Sequence, residues 1–165
     1  DQCRVNPQAE SEMDCVVRLV SQIRAVRSEL NVPAGAKVPL LLDKASDESV
    51  RRLNANLDQI SRMARLSSAE AGSGEGLAGA VQIIHDEATV VLPLAEVMDL
   101  DQEKARLAKE VDKMTSEIEK IDKKLANENF TSKAPAHVIE EQHTRRADAE
   151  ATRTNLEEAM ARLSA

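Results

Sequence analysis

Apolar side chains in the first thirty residues recur at three- and four-residue steps, so they fall on one stripe of a helix. The pattern predicts a helix over residues 10–30. The helix is expected to end before Pro33, because proline disfavours helical geometry in the residue that precedes it. The stripe consists of Val16, Leu19, Val20, Ile23, Val26 and Leu30.

Short apolar runs and one further helical pattern follow. Residues 37–42 predict a strand, and Pro39, which cannot donate to a ladder, places this strand at a sheet edge or makes it irregular at that point. Residues 47–63 predict a second helix with Ser46 as its N-cap. Residues 66–71 predict another short strand.

A glycine-rich stretch leads into a predicted β-hairpin. Four of the five glycines lie within residues 72–79, which predicts a flexible connection. No Gly-Lys-Ser/Thr follows and the next element is a strand, so the stretch does not fit a phosphate-binding loop. Residues 80–84 and 89–94 are apolar and are separated by His-Asp-Glu-Ala, which predicts a hairpin. We expect the helices to lie on one side of this small sheet.

From Leu100 onward the apolar spacing changes to alternating four- and three-residue steps, which is the heptad of a coiled coil. Glycine and proline are absent from residues 101–134, so the pattern predicts one helix over residues 101–129. Its seam consists of Leu100, Lys104, Leu107, Val111, Met114, Ile118, Ile121 and Leu125.

A second helix with the same rhythm is predicted after a break at residues 127–135, with Pro135 in its first turn. Its predicted seam consists of Val138, Gln142, Arg145, Ala149, Thr152, Leu156, Ala159 and Leu163. Antiparallel packing pairs Leu125 with Val138, Met114 with Ala149, Leu107 with Leu156 and Leu100 with Leu163. The stem of Arg145 is expected to lie along this seam.

The predicted fold class is therefore α+β. Residues 1–99 form a small sheet with packed helices, and residues 100–165 form a long antiparallel two-helix coiled-coil hairpin. The chain begins with Asp1 rather than Met, which suggests a piece of a longer protein.

Composition argues against several function classes. Cys3 and Cys15 match neither a zinc site nor a disulfide framework, so we expect reduced thiols. No apolar run approaches the roughly 20 residues of a membrane span, and no export signal precedes the first helix. His85, His137 and His143 are scattered, and no nucleophile stands beside a base. We predict no catalytic residue, no metal ligand and no cofactor.

The net charge of −7 argues against a nucleic-acid partner unless positive charge is concentrated locally. Residues 1–100 hold 10 Lys and Arg against 15 Asp and Glu, whereas residues 101–165 hold 12 against 14. Residues 123–146 hold five basic against three acidic residues. Positive charge is therefore concentrated at the distal end of the predicted hairpin.

One set of lysines follows the seam of the first hairpin helix. Lys109, Lys113, Lys120 and Lys123, together with Ser116, each lie two residues beyond a seam position, on the back of the helix. Spaced ammonium groups suit a phosphate backbone. Further candidate RNA-binding residues are Lys124, Lys133, Arg145 and Arg146.

Two plainer interpretations stay open for this region. The charged face is also typical of a solvated coiled coil with pairs such as Glu117–Lys120 and Glu119–Lys123. Phe130, the only aromatic ring, either fills the hairpin bend or stacks on a base.

Two stretches resemble a known family. IRAVRSELNVPAGAKVPLLL, residues 23–42, resembles the segment that closes the anticodon-binding helical region of valyl-tRNA synthetases. Residues 92–142 resemble the C-terminal arm of the same enzymes, most specifically in MDLDQEKARLAKE and KLANENFTSKAPAHVIE. The resemblance extends from about residue 12 to residue 163.

The resemblance implies a cytoplasmic class I ligase that joins valine to its tRNA at the expense of ATP. It implies that residues 1–99 link the anticodon-binding region to an arm that contacts the corner of tRNA. Its active site lies outside this chain, and the partners are tRNA and the remaining domains of a monomeric synthetase. Two departures are visible: Cys15 stands where the family has Trp, and the second half of the arm is poor in Lys and Arg.

The alternative hypothesis is a coiled-coil module that binds another protein or self-associates and has no RNA affinity. It predicts oligomers whose population depends on concentration, whereas the tRNA hypothesis predicts salt-sensitive binding to RNA.

Overall fold

The structure is a computed structural model that describes residues 6–75, 77 and 79–164. It divides into two compact units. The sheet unit comprises the residues up to Leu100 together with the end of the chain from Arg162, and the arm unit comprises residues Asp101–Ala161. Cys3 lies outside the described residues, so the prediction for its thiol stays a prediction.

The first helix, α1 (Pro7–Glu29), confirms the predicted apolar stripe, since each of its six members is buried. The helix begins slightly earlier than predicted because the side chain of Asn6 caps it by accepting from the backbone N of Gln8 at 3.0 Å, with proline at the first position. It ends before Asn31, whose φ of 57° is left-handed.

Four strands of the described residues form one sheet: β1 (Val38–Asp43), β2 (Leu66–Ala71), β3 (Ala80–His85) and β4 (Ala88–Pro93). Their spatial order is β2-β1-β4-β3. β1 and β2 are parallel, whereas β4 is antiparallel to both of its neighbours. The predicted hairpin is confirmed, with a shorter turn at Asp86 and Glu87.

The strand that contains Pro39 is internal, so its predicted edge position is wrong. The alternative prediction of an irregularity is confirmed, because the register with β2 shifts between Val38 and Pro39. The ladder with β4 covers only residues 41–43, so Pro39 lies outside it and its missing donor costs no hydrogen bond there.

The single helix predicted over residues 47–63 is two helices, α2 (Asp47–Ala55) and α3 (Leu57–Ala64). They meet at Asn56, whose side-chain amide donates to the carbonyl of Arg52 at 2.8 Å. Such a bond competes with the backbone ladder and explains the break. Ser46 caps α2 as predicted, since its Oγ accepts from the backbone N of Ser49 at 3.2 Å.

Packing around the sheet buries both faces of its centre. α1 packs against β3, and α2 and α3 pack against β2. Leu40 and Leu42 are buried on one face of β1, while Leu41 and its partner Val91 lie on the other. Gly72 and Gly74 lie against that second face, so the first part of the glycine stretch is packed on the sheet.

Gly74→Ala is expected to destabilise the sheet unit. A Cβ at residue 74 would lie 2.5 Å from a γ-methyl of fully buried Val91, so it would displace a stiff side chain at a cost of about 1–3 kcal/mol. The measurement is the free energy of unfolding from urea titration. Gly35→Ala is the control, because a Cβ there meets nothing within 4 Å, and its effect is expected to stay within about 0.5 kcal/mol. Equal effects of both changes would contradict this packing.

The β3–β4 turn is tied to the start of α2 by Glu87. One carboxylate oxygen accepts from the Ser49 hydroxyl at 2.5 Å, from the Ser46 hydroxyl at 2.8 Å and from the Ser46 backbone N at 3.1 Å. These hydrogen bonds, chiefly those from the two serines, lower the pKa of Glu87 from 4.5 to about 2. The carboxylate form is therefore the one that joins the hairpin to α2.

Glu87→Gln is expected to reduce the loss of stability in acid. Since the pKa of Glu87 is lower in the folded state than in the unfolded one, its contribution is present above pH 4.5 and disappears as the pH falls towards about 2. Unfolding by denaturant at several pH values in this window measures the slope. Glu75→Gln, an exposed carboxylate, is the control, and an identical slope in the two variants would refute the role of Glu87.

Three helices form the arm unit: α4 (Leu100–Ala126), the short α5 (Glu128–Lys133) and α6 (Ala136–Ser164). The first residue of α4 and the last residues of α6 belong to the sheet unit. α4 ends earlier than residue 129 because Asn127 caps α5, its side chain accepting from the backbone N of Asn129 at 3.0 Å. The second long helix is confirmed and begins at Ala136, so Pro135, which was predicted in its first turn, directly precedes it.

Burial confirms the seam of α4 and six of the eight predicted seam positions of α6. Leu107, Ile118 and Ile121 are buried, and the other five predicted seam residues of α4 are partly buried. On α6, Arg145 and Thr152 are exposed, and the half-buried residues at this level are Arg146 and Arg153. Both predicted positions are thus one residue too early, and the prediction for the Arg145 stem is wrong.

Two contacts join α4 and α6 across the hairpin. Arg146 donates to Asp122 at 2.6 Å, and Arg153 donates to the Thr115 hydroxyl at 3.5 Å. No helix within the described ranges is apolar over enough of its length to cross a bilayer.

Candidate nucleic-acid interface

Four lysines form a stripe on the back of α4, which we call the lysine stripe: Lys109, Lys113, Lys120 and Lys123. All four are exposed. At about 100° per residue they fall within an arc of roughly 80°, and the apolar seam lies on the opposite side. At about 1.5 Å per residue the stripe is roughly 21 Å long.

Most of the lysine stripe is free of internal ion pairs. Lys113 donates to Glu110 at 3.1 Å. Among residues 6–75, 77 and 79–164, neither of the predicted pairs Glu117–Lys120 and Glu119–Lys123 forms, and no carboxylate lies within ion-pairing distance of Lys109, Lys120 or Lys123. These three ammonium groups are therefore exposed to the solvent without an ion pair to any residue that the structure describes.

The other four predicted RNA-binding residues differ in their surroundings. Lys124 places its Nζ 5.9 Å from the centre of the Phe130 ring, a cation–π contact within the protein. Lys133 and Arg145 are exposed, and no ion pair to either is formed by the described part of the chain. Phe130 is half-buried in α5, and its ring lies beside the Lys124 ammonium group. This contact is compatible with both predicted roles of the ring, filling the hairpin bend and stacking on a base.

Arg146 is neutralised within the arm unit. Its guanidinium donates to Asp122 at 2.6 Å and to Glu150 at 2.6 Å. The bond to Asp122 raises the pKa of the guanidinium and lowers the pKa of the Asp122 carboxyl. Arg146 therefore joins α4 to α6, whereas Lys133 and Arg145 are exposed and form no ion pair with the described residues.

A second polar cluster, which the sequence did not predict, lies between α1 and the β3–β4 turn. The Cys15 Sγ lies 3.3 Å from His85 Nε2, and His85 Nδ1 lies 2.7 Å from the Gln22 amide oxygen. Gln22 also donates from its amide nitrogen to the carbonyl of Ile84 at 3.1 Å, which fixes the orientation of its amide. His85 Nδ1 therefore donates to Gln22, and Nε2 accepts from the thiol.

Arg18 completes this cluster by donating to both oxygens of Asp86, at 2.7 and 3.0 Å. The potential metal-ligand atoms of Cys15, His85 and Asp86 lie within 4.8 Å of one another, a spacing that suits a metal ion. The Asp86 oxygens, however, already accept hydrogen bonds from Arg18. The members are some 70 residues apart in the chain, so only the packing of α1 on β3 brings them together.

His85 should make the sheet unit less stable in weak acid. Burial lowers the pKa of His85 from 6.5, so the unfolded chain binds a proton more readily than the folded one just below that pH. Stability is therefore expected to fall as the pH drops below about 6.5, and His85→Gln should remove this part of the slope. Unfolding titrations across this range provide the measurement. His143→Gln, on an exposed part of α6, is the control and should leave the slope unchanged.

Comparison with known proteins places the chain in a class. Residues 99–164 match the family described as Valyl tRNA synthetase tRNA binding arm. The chain is 41% identical over 157 residues to valine–tRNA ligase of Gluconobacter oxydans, 42% identical over 159 residues to that of Rhizorhabdus wittichii, and 38% identical over 157 residues to that of Bacillus subtilis. These matches cover 94–96% of the chain and 18% of each relative.

The helical hairpin is thus an arm of the tRNA-binding class. Residues 99–164 belong to this arm family, and the chain corresponds to the C-terminal region of bacterial valine–tRNA ligases, as its sequence predicted. It spans less than a fifth of the length of the curated relatives that it matches.

Proposed function

We propose that this chain is the tRNA-binding C-terminal appendage of a valine–tRNA ligase and that its arm unit binds the tRNA backbone through the lysine stripe. The supporting observation is the set of ammonium groups on Lys109, Lys120 and Lys123, which face away from the apolar seam and lack carboxylate partners among the described residues. The name of the matching family, a tRNA binding arm, agrees with this role.

The binding is electrostatic and independent of base sequence. Lysines that neutralise phosphates release condensed counterions, so affinity falls steeply as salt rises. The arm unit offers only one aromatic ring, that of Phe130, and Lys124 already lies over it. Base stacking therefore contributes little, and the contacts fix the position of the RNA without reading its sequence.

Lys133 and Arg145 extend this surface towards the α5 end of the hairpin. Both are exposed and carry uncompensated charge in the described part of the chain. We propose that this end approaches the corner of the L-shaped tRNA, as the resemblance implies. Few phosphates are contacted, so the affinity of the chain for tRNA is expected to be modest.

The longer protein is proposed to act in the cytoplasm as a monomer that joins valine to tRNA with ATP. The relatives that the chain matches carry the name valine–tRNA ligase, and the chain spans 18% of their length. Its own contribution is to hold tRNA, without a cofactor or a catalytic residue, while the remaining domains perform the chemistry.

Changing Lys109, Lys113, Lys120 and Lys123 to Glu is expected to abolish retention of tRNA while the helix content is preserved. The four side chains are exposed on the back of α4, so the apolar seam is untouched. Fluorescence anisotropy with labelled tRNA measures binding, and circular dichroism measures helix content. The matched control changes the same four residues to Arg, which keeps the charge and should keep the affinity.

Unchanged tRNA binding in the Glu variant would contradict the proposal. Light scattering on the same samples separates the alternative, a self-associating coiled coil. A dimer whose population rises with concentration and that ignores tRNA would favour that alternative.

A further inference from the structure

A pocket of about 420 Å³ in the sheet unit is lined by arginines from two helices. Arg24 and Arg27 come from α1, and Arg62 and Arg65 come from the end of α3. No acidic residue among those that the structure describes lines the pocket. These are four of the ten basic residues in a stretch of 100 residues whose net charge is −5, so their convergence is a local feature.

Arg27 forms the fixed floor of this pocket. Its side chain is buried, with the residue only 8% exposed, and its guanidinium donates to the carbonyls of Ala36 at 2.7 Å and Pro33 at 3.1 Å. Burial and, to a lesser degree, the neighbouring charge of Arg65 lower the pKa of Arg27. A buried cation held only by neutral carbonyls lacks the anionic partner that buried charges usually have.

Arg24 and Arg62 are exposed at the pocket. Neither has a carboxylate within ion-pairing distance in the portion of the chain that the structure describes. Arg65 ends α3 with a left-handed φ of 55° and donates to the carbonyl of Ala34, which directs it to the same loop as Arg27. Like charges thus converge around a cavity whose described lining contains no acidic residue.

The positive surface continues beside this pocket. A neighbouring cavity of about 330 Å³ is lined by Lys37 together with Arg62 and Arg65, and Asp58 is its only acidic member. Arg62 and Arg65 line both cavities, and Lys37 lines the second one. Positive charge that extends over two adjoining cavities suits a ligand that carries more than one negative charge along its length.

We propose that this arginine pocket binds a backbone phosphate of RNA, as a second contact besides the lysine stripe. Guanidinium groups bind phosphate oxygens in pairs of parallel hydrogen bonds, which suits the exposed Arg24 and Arg62, while Arg27 and Arg65 add positive charge beside them. The sheet unit has no aromatic ring on which a base or a ligand ring could stack, since Phe130 belongs to the arm unit. The contact is therefore with charge alone, which is how proteins hold a phosphate backbone. This inference rests on the proposed function, because tRNA is taken as the polyanion.

The test compares the 165-residue chain with Arg24→Glu, Arg62→Glu and the double variant in binding to labelled tRNA over a range of salt concentrations. Both residues are exposed, so the buried floor stays intact. The double variant is expected to bind tRNA about tenfold more weakly, and the slope of the logarithm of the binding constant against the logarithm of the salt concentration should fall by roughly 1 for each lost phosphate contact. Lys44→Glu, an exposed charge reversal outside the pocket, is the control and should change neither quantity appreciably.

The quadruple Glu variant of the lysine stripe, measured in parallel, separates this inference from the proposed function. If the stripe variant loses tRNA while the double arginine variant binds normally with an unchanged slope, the pocket is not an RNA site and the proposed function stands. If the arginine variant loses tRNA while the stripe variant does not, the pocket is supported and the stripe is refuted. A wild-type chain that ignores tRNA would overturn both.

Inorganic phosphate distinguishes the two sources of the anion. Thermal unfolding is followed in phosphate and in chloride at equal ionic strength, with wild type and the double variant. Stabilisation by phosphate that the double variant loses, together with unchanged tRNA affinity, would identify a site for free phosphate and overturn the assignment to RNA. Loss of both in the double variant supports the proposal.

Discussion

The apolar seam of α4 determines which face of the arm unit meets the solvent. A side chain two residues beyond a seam position is rotated by about 200° around the helix, so it points away from the partner helix. Burial of Leu107, Ile118 and Ile121 therefore places Lys109, Lys120 and Lys123 on the exposed side. Turning the helix to cover these lysines would expose the seam and bury ammonium groups without partners, and both changes are unfavourable. The lysine stripe is thus a consequence of the packing.

α6 contributes basic residues to the hairpin in a different way. Its side of the seam contains few large apolar residues, and Arg146 and Arg153 occupy half-buried positions there. Their aliphatic stems cover apolar surface while their guanidinium groups reach Asp122 and Thr115 on α4. Arginine suits this task because its fork of donors satisfies several acceptors at once. Arg146 and Arg153 of α6 therefore join the two helices, whereas Lys109, Lys120 and Lys123 of α4 remain for a partner.

Features of the fold that depend on the spacing of residues along the chain could be predicted from the sequence, whereas features that depend on tertiary contacts could not. The α1 stripe, the Ser46 cap, the hairpin and the α4 seam depend on spacing along the chain, and each was predicted. On α6 the heptad spacing placed Arg145 in the seam, where the neighbouring positions are polar, and only its burial and its contact with Asp122 show that Arg146 lies there instead. The break at Asn56 and the Cys15–His85 contact depend on competition with the backbone and on tertiary packing, which spacing does not report. The arginine pocket was missed for the same reason.

Net charge is a poor guide to the partner of a protein built in this way. The chain is acidic overall, yet most of its carboxylates lie outside the lysine stripe and the arginine pocket. Because screening limits electrostatic forces to about 8–10 Å in physiological salt, a phosphate group responds to the charges beside it rather than to the total. The remaining negative surface opposes unspecific adhesion of RNA elsewhere. An acidic chain with a few cations that form no internal ion pair can therefore bind a polyanion in one favoured orientation. A uniformly basic surface would not favour one orientation over another.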